Sequence, residues 1–257
     1  VGAKAILAVQ KHRGLNNMVL NGVADTKLPR DNAGIELTNS IDKLQALAVE
    51  RAELRVDNAA RAIKSQAQQL VNDRDKYSAG ESFARHTALL TDLINLLDTV
   101  ADSSGLALSP DQSTYYLGLL ASQNLVSLTE ELAQLRGAGA GMLGRGQASA
   151  AEKSSLVARE ELMRKHLRDA QSNIKKLSNN NANYSAYRGK IDELEKNLGQ
   201  IQKIVADQII TVDKFNFDSK EYFRIASEQV NATADFHATV LKELVLRVDV
   251  QEAEARA

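Results

Sequence analysis

The sequence predicts an all-α protein, an elongated helical bundle. Apolar residues recur at helical spacing in segment after segment, and no stretch alternates with the period of two that a half-buried strand requires. Aromatics make up only 4% of the chain and Trp is absent, while Ala, Leu, Gln, Glu, Lys and Arg abound, a composition suited to long helices packed by small and aliphatic side chains. Only two prolines interrupt 257 residues.

Taken in order, residues 1–23 read as a helix with Ile6, Val9, Leu15, Met18 and Leu20 on its apolar face, and residues 22–29 as a turn. Residues 30–77 form a long helical segment carrying Ile35, Ile41, Leu44, Leu47 and Leu54, then Ile63, Leu70 and Val71. Unbroken, it would be roughly 70 Å long at about 1.5 Å per residue. Its register slips across the charged residues 51–58, which mark either a kink or a short turn. A third helix over residues 82–104 has a wide apolar face that includes Leu89, Leu93 and Leu97, and Gly105 is placed to end it as a left-handed cap.

The sharpest helix start follows. Ser109 is placed to cap, Pro110 suits the first helical position, and Gln112 completes a capping box, with Asp111 favoured by the helix dipole. This helix is expected to run to about Arg136. Gly137, Gly139, Gly141, Gly144 and Gly146 then predict a flexible turn or a frayed helix end, since each interior Gly costs about 1 kcal/mol relative to Ala. They do not predict a phosphate loop, which needs Gly-Lys-Ser/Thr after a strand.

Ser149 and Glu152 form a second capping box, opening a helix to about residue 177. Residues 178–183 are a polar turn, 185–210 a helix with a near-heptad stripe, and 211–217 a loop holding Phe215 and Phe217. Asp218 with Glu221 is a third cap signature, opening a helix from Ser219 to the end. No repeat is evident in the sequence. The expected architecture is seven or eight helices in two tiers, a single domain over residues 1–257 built as two stacked four-helix modules sharing long helices.

Composition excludes several functions. The net charge is -1, from 32 basic and 33 acidic residues intermingled, so there is no basic field for nucleic acid. Without Cys there are no disulfides, thiolate metal sites or Cys nucleophiles. His12, His86, His166 and His237 are dispersed and form no Glu-x-x-His pair, so no metal is expected. No Gly-x-Ser-x-Gly is present, and neither catalytic residues nor a cofactor is predicted. The chain starts at Val1 rather than Met and has no run of 18 apolar residues, so it is expected to be a water-soluble piece of a longer protein.

The candidate binding residues lie in two places. Lys11, His12 and Arg13 sit mid-helix within the first apolar stripe, and Arg13 shares a face with Asn17, as His12 does with Asn16. An Arg facing the bundle interior makes an anion clamp, bidentate on a carboxylate or nitrate-like group. The alternatives are a surface basic patch or an Arg13 tied to a neighbouring carboxylate. Tyr115 and Tyr116 point about 100° apart on one helix, so one suits the core and the other a ligand or solvent. Arg136 is placed to complement the dipole at its helix end.

Several segments together carry a resemblance. They are Gln10-Lys11-His12-Arg13-Gly14-Leu15, then Ser82 to Leu89, then Val100 to Leu106. Ser109-Pro110-Asp111 with Tyr115-Tyr116-Leu117 follows, then Leu128 to Gly137, and Glu221-Tyr222-Phe223. In order and number these are similar to the helical extracytoplasmic sensor domains of bacterial methyl-accepting chemotaxis receptors, of the nitrate/nitrite-sensing or helical bimodular kind. Ser109 stands where many relatives carry Asp.

The resemblance implies the periplasmic ligand-binding domain of an inner-membrane chemoreceptor, not an enzyme, flanked by transmembrane helices outside this chain. It implies a homodimer, and a small-molecule ligand, an inorganic or organic anion, whose binding shifts the last helix against the first. Arg13, His12, Asn17, Tyr115 and Tyr116 are the residues expected to line its site. Two other readings stay open: the sensor domain of a histidine kinase or cyclic-nucleotide signalling protein, and a helical structural or adaptor protein with no small ligand.

Overall fold

A computed structural model describes residues 1–103, 109 and 111–256 of the chain. Among these residues there are helices and no strands. The helices are α1 (Gly2–Leu20), α2 (Lys27–Glu50), α3 (Asp57–Asn72), α4 (Ala79–Ser103), α5 (Gln112–Leu119), α6 (Leu125–Arg145), α7 (Ala150–Asn180), α8 (Ala186–Val205) and α9 (Ser219–Arg256). A π turn over Leu120–Asn124 joins α5 to α6 as one rod, and another, Ala206–Ile210, extends α8. No helix among the described residues is long and apolar enough to cross a membrane.

Two hydrophobic cores follow from the apolar stripes. On α3 the buried residues are Ala60, Ile63, Ala67 and Leu70, one face of a helix. They meet Leu37, Ile41 and Leu44 of α2 and Leu89 and Leu93 of α4 in the first core, which α1 closes with Ile6 and Val9. The second core is built from α5 to α9. The α8 stripe Ile191, Leu194, Leu198, Ile201 and Val205 lies buried in it. Each such side chain contributes about 2 kcal/mol by leaving water. The all-α, elongated bundle read from the sequence is thus the fold observed.

The two tiers are two four-helix bundles whose seam runs lengthwise, along α1 and α6. These two helices are parallel: Gln10 reaches Glu130, Asn17 donates to the Gly137 carbonyl at 2.7 Å, and Arg145 donates to Asn21 at 3.1 Å. Helix α9 runs antiparallel to α6. Ser219 donates to the Ala140 carbonyl at 2.8 Å, Tyr222 to the Leu135 carbonyl at 2.9 Å, and far along the rod Arg247 pairs with Asp111 at 3.0 Å. Beyond its approach to α1 near Asn231, α9 continues for roughly 37 Å at about 1.5 Å per residue.

Several local expectations are corrected. The glycine run is not a turn: α6 continues through it to Arg145 and ends at Gly146, whose φ is 74°. Tertiary packing overrides propensity because neighbours occupy the space a side chain would need. A Cβ on Gly139 would lie 2.6 Å from the Tyr222 ring, and one on Gly137 2.9 Å from Phe83. The slip at residues 51–58 is a turn, closed by Arg55 in the left-handed conformation at φ 57°. Helix α2 begins at Lys27, so Pro29 lies in its first turn, where its missing N–H is no loss.

The cap of α5 is Asp111, not Ser109, accepting from the Thr114 amide at 2.7 Å and the Thr114 hydroxyl at 2.8 Å. The expected roles of Gly105 and Pro110 lie outside the described residues. Ser149 and Glu152 form the reciprocal capping box the sequence announces, and Asp218 caps α9 through the Glu221 amide at 2.8 Å.

Candidate functional site

Where α1 and α6 touch, polar side chains replace the apolar core. Arg13 is fully buried on α1 and is not part of a surface patch. Its guanidinium forks onto Glu130 of α6, at 2.7 and 3.2 Å, and donates to Thr87 of α4 at 3.0 Å. Gln10 and Gln134 also donate to Glu130, at 2.9 and 2.8 Å. Four donors on one carboxylate are what a buried charge requires. The neighbouring carboxylate that sequence reading left open for Arg13 is therefore present, and it comes from a helix more than a hundred residues away.

A second guanidinium lies beside this pair. Arg136 is mid-helix and buried, not at a helix end, so dipole compensation is not its role. It donates to Ser227 of α9 at 3.1 Å and to the Gln10 carbonyl at 3.0 Å. Among the described residues it makes no ion pair. Burial, and then the Arg13 charge, pull its pKa down to about 10, with Glu130 opposing. The Nε atoms of Arg13 and Arg136 are both buried and have no hydrogen-bond acceptor.

The two arginines are set in matching frames. Arg13 precedes Gly14 and lies over the Phe83 ring at 4.9 Å; Arg136 precedes Gly137 and lies over Phe223 at 4.8 Å. The hydroxyl each one finds, Thr87 or Ser227, is one helical turn beyond that Phe. Each Phe also crosses the seam: Phe223 packs on Gly14 and Phe83 on Gly137. The bundles are thus structural repeats, although the sequence shows none. The frames differ in one respect that matters: only Arg13 has a carboxylate.

Further out, Arg159 of α7 donates to Gln134 and lies 3.8 Å from Glu131. Burial lowers the Arg159 pKa and raises that of Glu131. Arg13 and Arg159 thus each have a carboxylate, Glu130 and Glu131, and Arg136 has none within ion-pair distance among the described residues.

The other residues singled out from sequence are distributed around this point. Asn17 is close by, buried, bonded to Gly137. His12 projects about 100° around α1 from Arg13, toward α2 and α4, where its Nδ1 lies 2.8 Å from His86 Nε2. The Ser82 carbonyl, 2.7 Å from His86 Nδ1, can only accept, so in the neutral pair His86 Nε2 accepts from His12 Nδ1. His12 Nε2 is left buried without a partner. Burial drives both pKa values down, that of His86 to about 4.

Tyr115 and Tyr116 stand on α5, some twenty residues before Arg136 on the same rod, or roughly 30 Å at about 1.5 Å per residue. Tyr115 is 40% exposed, and Tyr116 packs on the second core with Lys176 over its ring. The structure does not bring them to Arg13. Glu130, Arg136, Phe83 and Phe223 were missed by sequence reading. A doubled pattern, Arg-Gly on one helix answered by Phe with a hydroxyl four residues on, points to Arg136, Phe83 and Phe223 but not to Glu130.

Among the described residues no group of three or more His, Asp or Glu converges as a metal site. No curated protein and no solved structure gives a significant match to the chain. The sequence model of the family described as nitrate and nitrite sensing matches residues 4–245, nearly the entire chain, and the protein belongs to that family of sensor domains.

Proposed function

We propose that this chain is the periplasmic ligand-binding domain of a transmembrane chemoreceptor, and that its ligand is a monovalent inorganic anion, nitrate or nitrite, bound at the seam between α1 and α6. The observation that carries this is the unpaired charge of Arg136, buried beside the Arg13–Glu130 pair. An isolated buried charge is costly unless it is paired. A planar anion accepting from the free Nε of Arg13 or Arg136 would supply the missing partner with single-charge stoichiometry. The family assignment points to the same ligand class.

Transmission follows from the same geometry. The anion would draw together α1 of one bundle and α6 of the other, with α9 tied to the site through Ser227 and Phe223. Because α1 and α9 are antiparallel, the start of one and the end of the other point the same way, as flanking membrane helices require. A ligand that prefers one arrangement of the seam shifts α9 against α1. A homodimer paired along these helices completes the reading.

Isothermal titration of the purified domain with nitrate and nitrite tests the proposal, with acetate and succinate as comparison anions. Nitrate at about 100 times its Kd should also stabilise the fold by roughly 2.7 kcal/mol. Arg136→Gln should abolish the heat of binding while the domain stays helical by circular dichroism. If nitrate and nitrite give no heat, or Arg136→Gln binds as the parent does, the proposed site is wrong.

A further inference from the structure

Two cavities flank the seam, and their charges differ. One, about 450 Å³, lies between α4, α6 and α7 on the Arg13 side. Its ionic groups are already engaged: Arg145 pairs with Glu152 at 2.6 Å, and Arg159 is held by Gln134 and Glu131. The other, about 530 Å³, lies between α1, α2 and α9. Arg136, Phe223 and Ser227 form its inner wall, and Lys4, Lys11 and Lys43 are exposed on its rim. Lys11 is neutralised by Glu36 at 2.8 Å. Lys4 and Lys43 make no ion pair among the described residues, and neither does Arg136.

We infer that the cavity between α1, α2 and α9 is the vestibule through which a small anion reaches Arg136, and that Lys4 and Lys43 concentrate anions in it. The inference rests on the anion site proposed above. The cavity is far larger than a planar four-atom anion, so it is a passage to the site and not its mould. It opens on the one guanidinium of the seam that lacks a carboxylate. Clefts lined by charge of one sign raise the local concentration of the opposite ion and accelerate its capture by about 10- to 1000-fold. The cavity on the Arg13 side, with its cations already engaged, offers no such field.

The chain has no Cys, so a single introduced thiol reports on the vestibule alone. Asn231→Cys places one on its exposed rim, and Gln68→Cys places one on the far surface of α3. The rates of modification by an anionic and a cationic methanethiosulfonate are compared at both. The anionic reagent should be favoured about tenfold more at position 231 than at position 68. Adding Lys4→Gln and Lys43→Gln should erase most of that preference. In a second arm, Asn231→Cys is capped with the uncharged benzyl reagent and nitrate exchange is followed by NMR. Capping should slow exchange at least tenfold.

The inference is overturned if the charge preference at position 231 equals that at position 68, or if the wild type binds nitrate and the capped protein exchanges it at the wild-type rate. Failure of the wild type to bind nitrate sinks the proposed function instead, and the modification rates still report the field of the cavity by themselves.

Discussion

Gly14 of α1 and Gly137 of α6 abut across the seam: a Cβ on Gly137 would lie 3.6 Å from the Gly14 Cα. Each glycine follows a site arginine in sequence, so the close approach of the two backbones sets both guanidiniums at the same level. Close packing by glycine and formation of the polar cluster are therefore one structural event.

Substitution in this packing should cost more than helix propensity returns. Gly139→Ala would gain about 1 kcal/mol of intrinsic helicity. Its methyl group would meet the Tyr222 ring at 2.6 to 2.7 Å, where the ring is fully buried and hydrogen-bonded to Leu135. Overpacking of this kind costs about 1–3 kcal/mol. A net loss of stability is expected in urea unfolding. A stabilised Gly139→Ala would show that α6 and α9 can separate without penalty.

Glu130→Gln should convert the domain into one that depends on its ligand. The substitution leaves Arg13 buried without a counter-charge, a change worth about 3–5 kcal/mol of stability. Because the anion would then answer two unpaired guanidiniums, added nitrate should recover more stability in this variant than in the wild type. The check is the urea midpoint of both proteins with and without nitrate. Equal nitrate increments would separate Glu130 from the binding site.

The fold and the site were not equally legible in the sequence. Helix positions, the capping box at Ser149 and the α9 start at Asp218 follow from local patterns, and local patterns survive folding. Arg13 was legible because it interrupts an apolar stripe. Glu130 and Arg136 were not, since one reads as a solvated acid and the other as the end of a helix stopped by glycine. Only the approach of α1, α4 and α9 to α6 gives the glycine run its meaning, and that approach joins segments remote in sequence. His12 and His86 were hidden in the same way, dispersed along the chain but 2.8 Å apart in space.

The histidine pair predicts a pH dependence with a definite sign. Unfolded, His86 takes up its proton near pH 6.5; folded, burial holds it to about 4. Between these values the unfolded state binds more protons, so stability falls as pH falls, by about 2 kcal/mol from this group on reaching pH 5. His12 acts in the same direction. Burial raises the pKa values of Glu131 and Glu160, which opposes the trend, so the comparison is with His86→Gln. Between pH 7 and 5 the variant should lose less stability than the wild type; parallel curves would remove His86 from the account.

Asp111 ties the far end of the second bundle, capping α5 and pairing with Arg247 of α9. Asp111→Ala should cost about 1 kcal/mol through the lost cap. It should raise amide hydrogen exchange in α5 first, leaving α1 and nitrate affinity unchanged. A change in affinity would mean that the far end of the rod is coupled to the seam.

The ion pair between Arg13 and Glu130 spans 117 residues of chain. In the first bundle most contacts join helices consecutive in sequence, whereas the second is closed by α6 against α9, its first and last long helices. The seam joins the first helix to the sixth, and the Arg247–Asp111 pair inside the second bundle spans 136 residues, so both are long-range events. Closing so long a loop is slow relative to local helix pairing. A folding chain would thus pass through a stage with its helices paired locally and the Arg13–Glu130 cluster not yet assembled. An anion bound at the proposed site would act only on such a long-range step, by holding α1 against α6 once they have met.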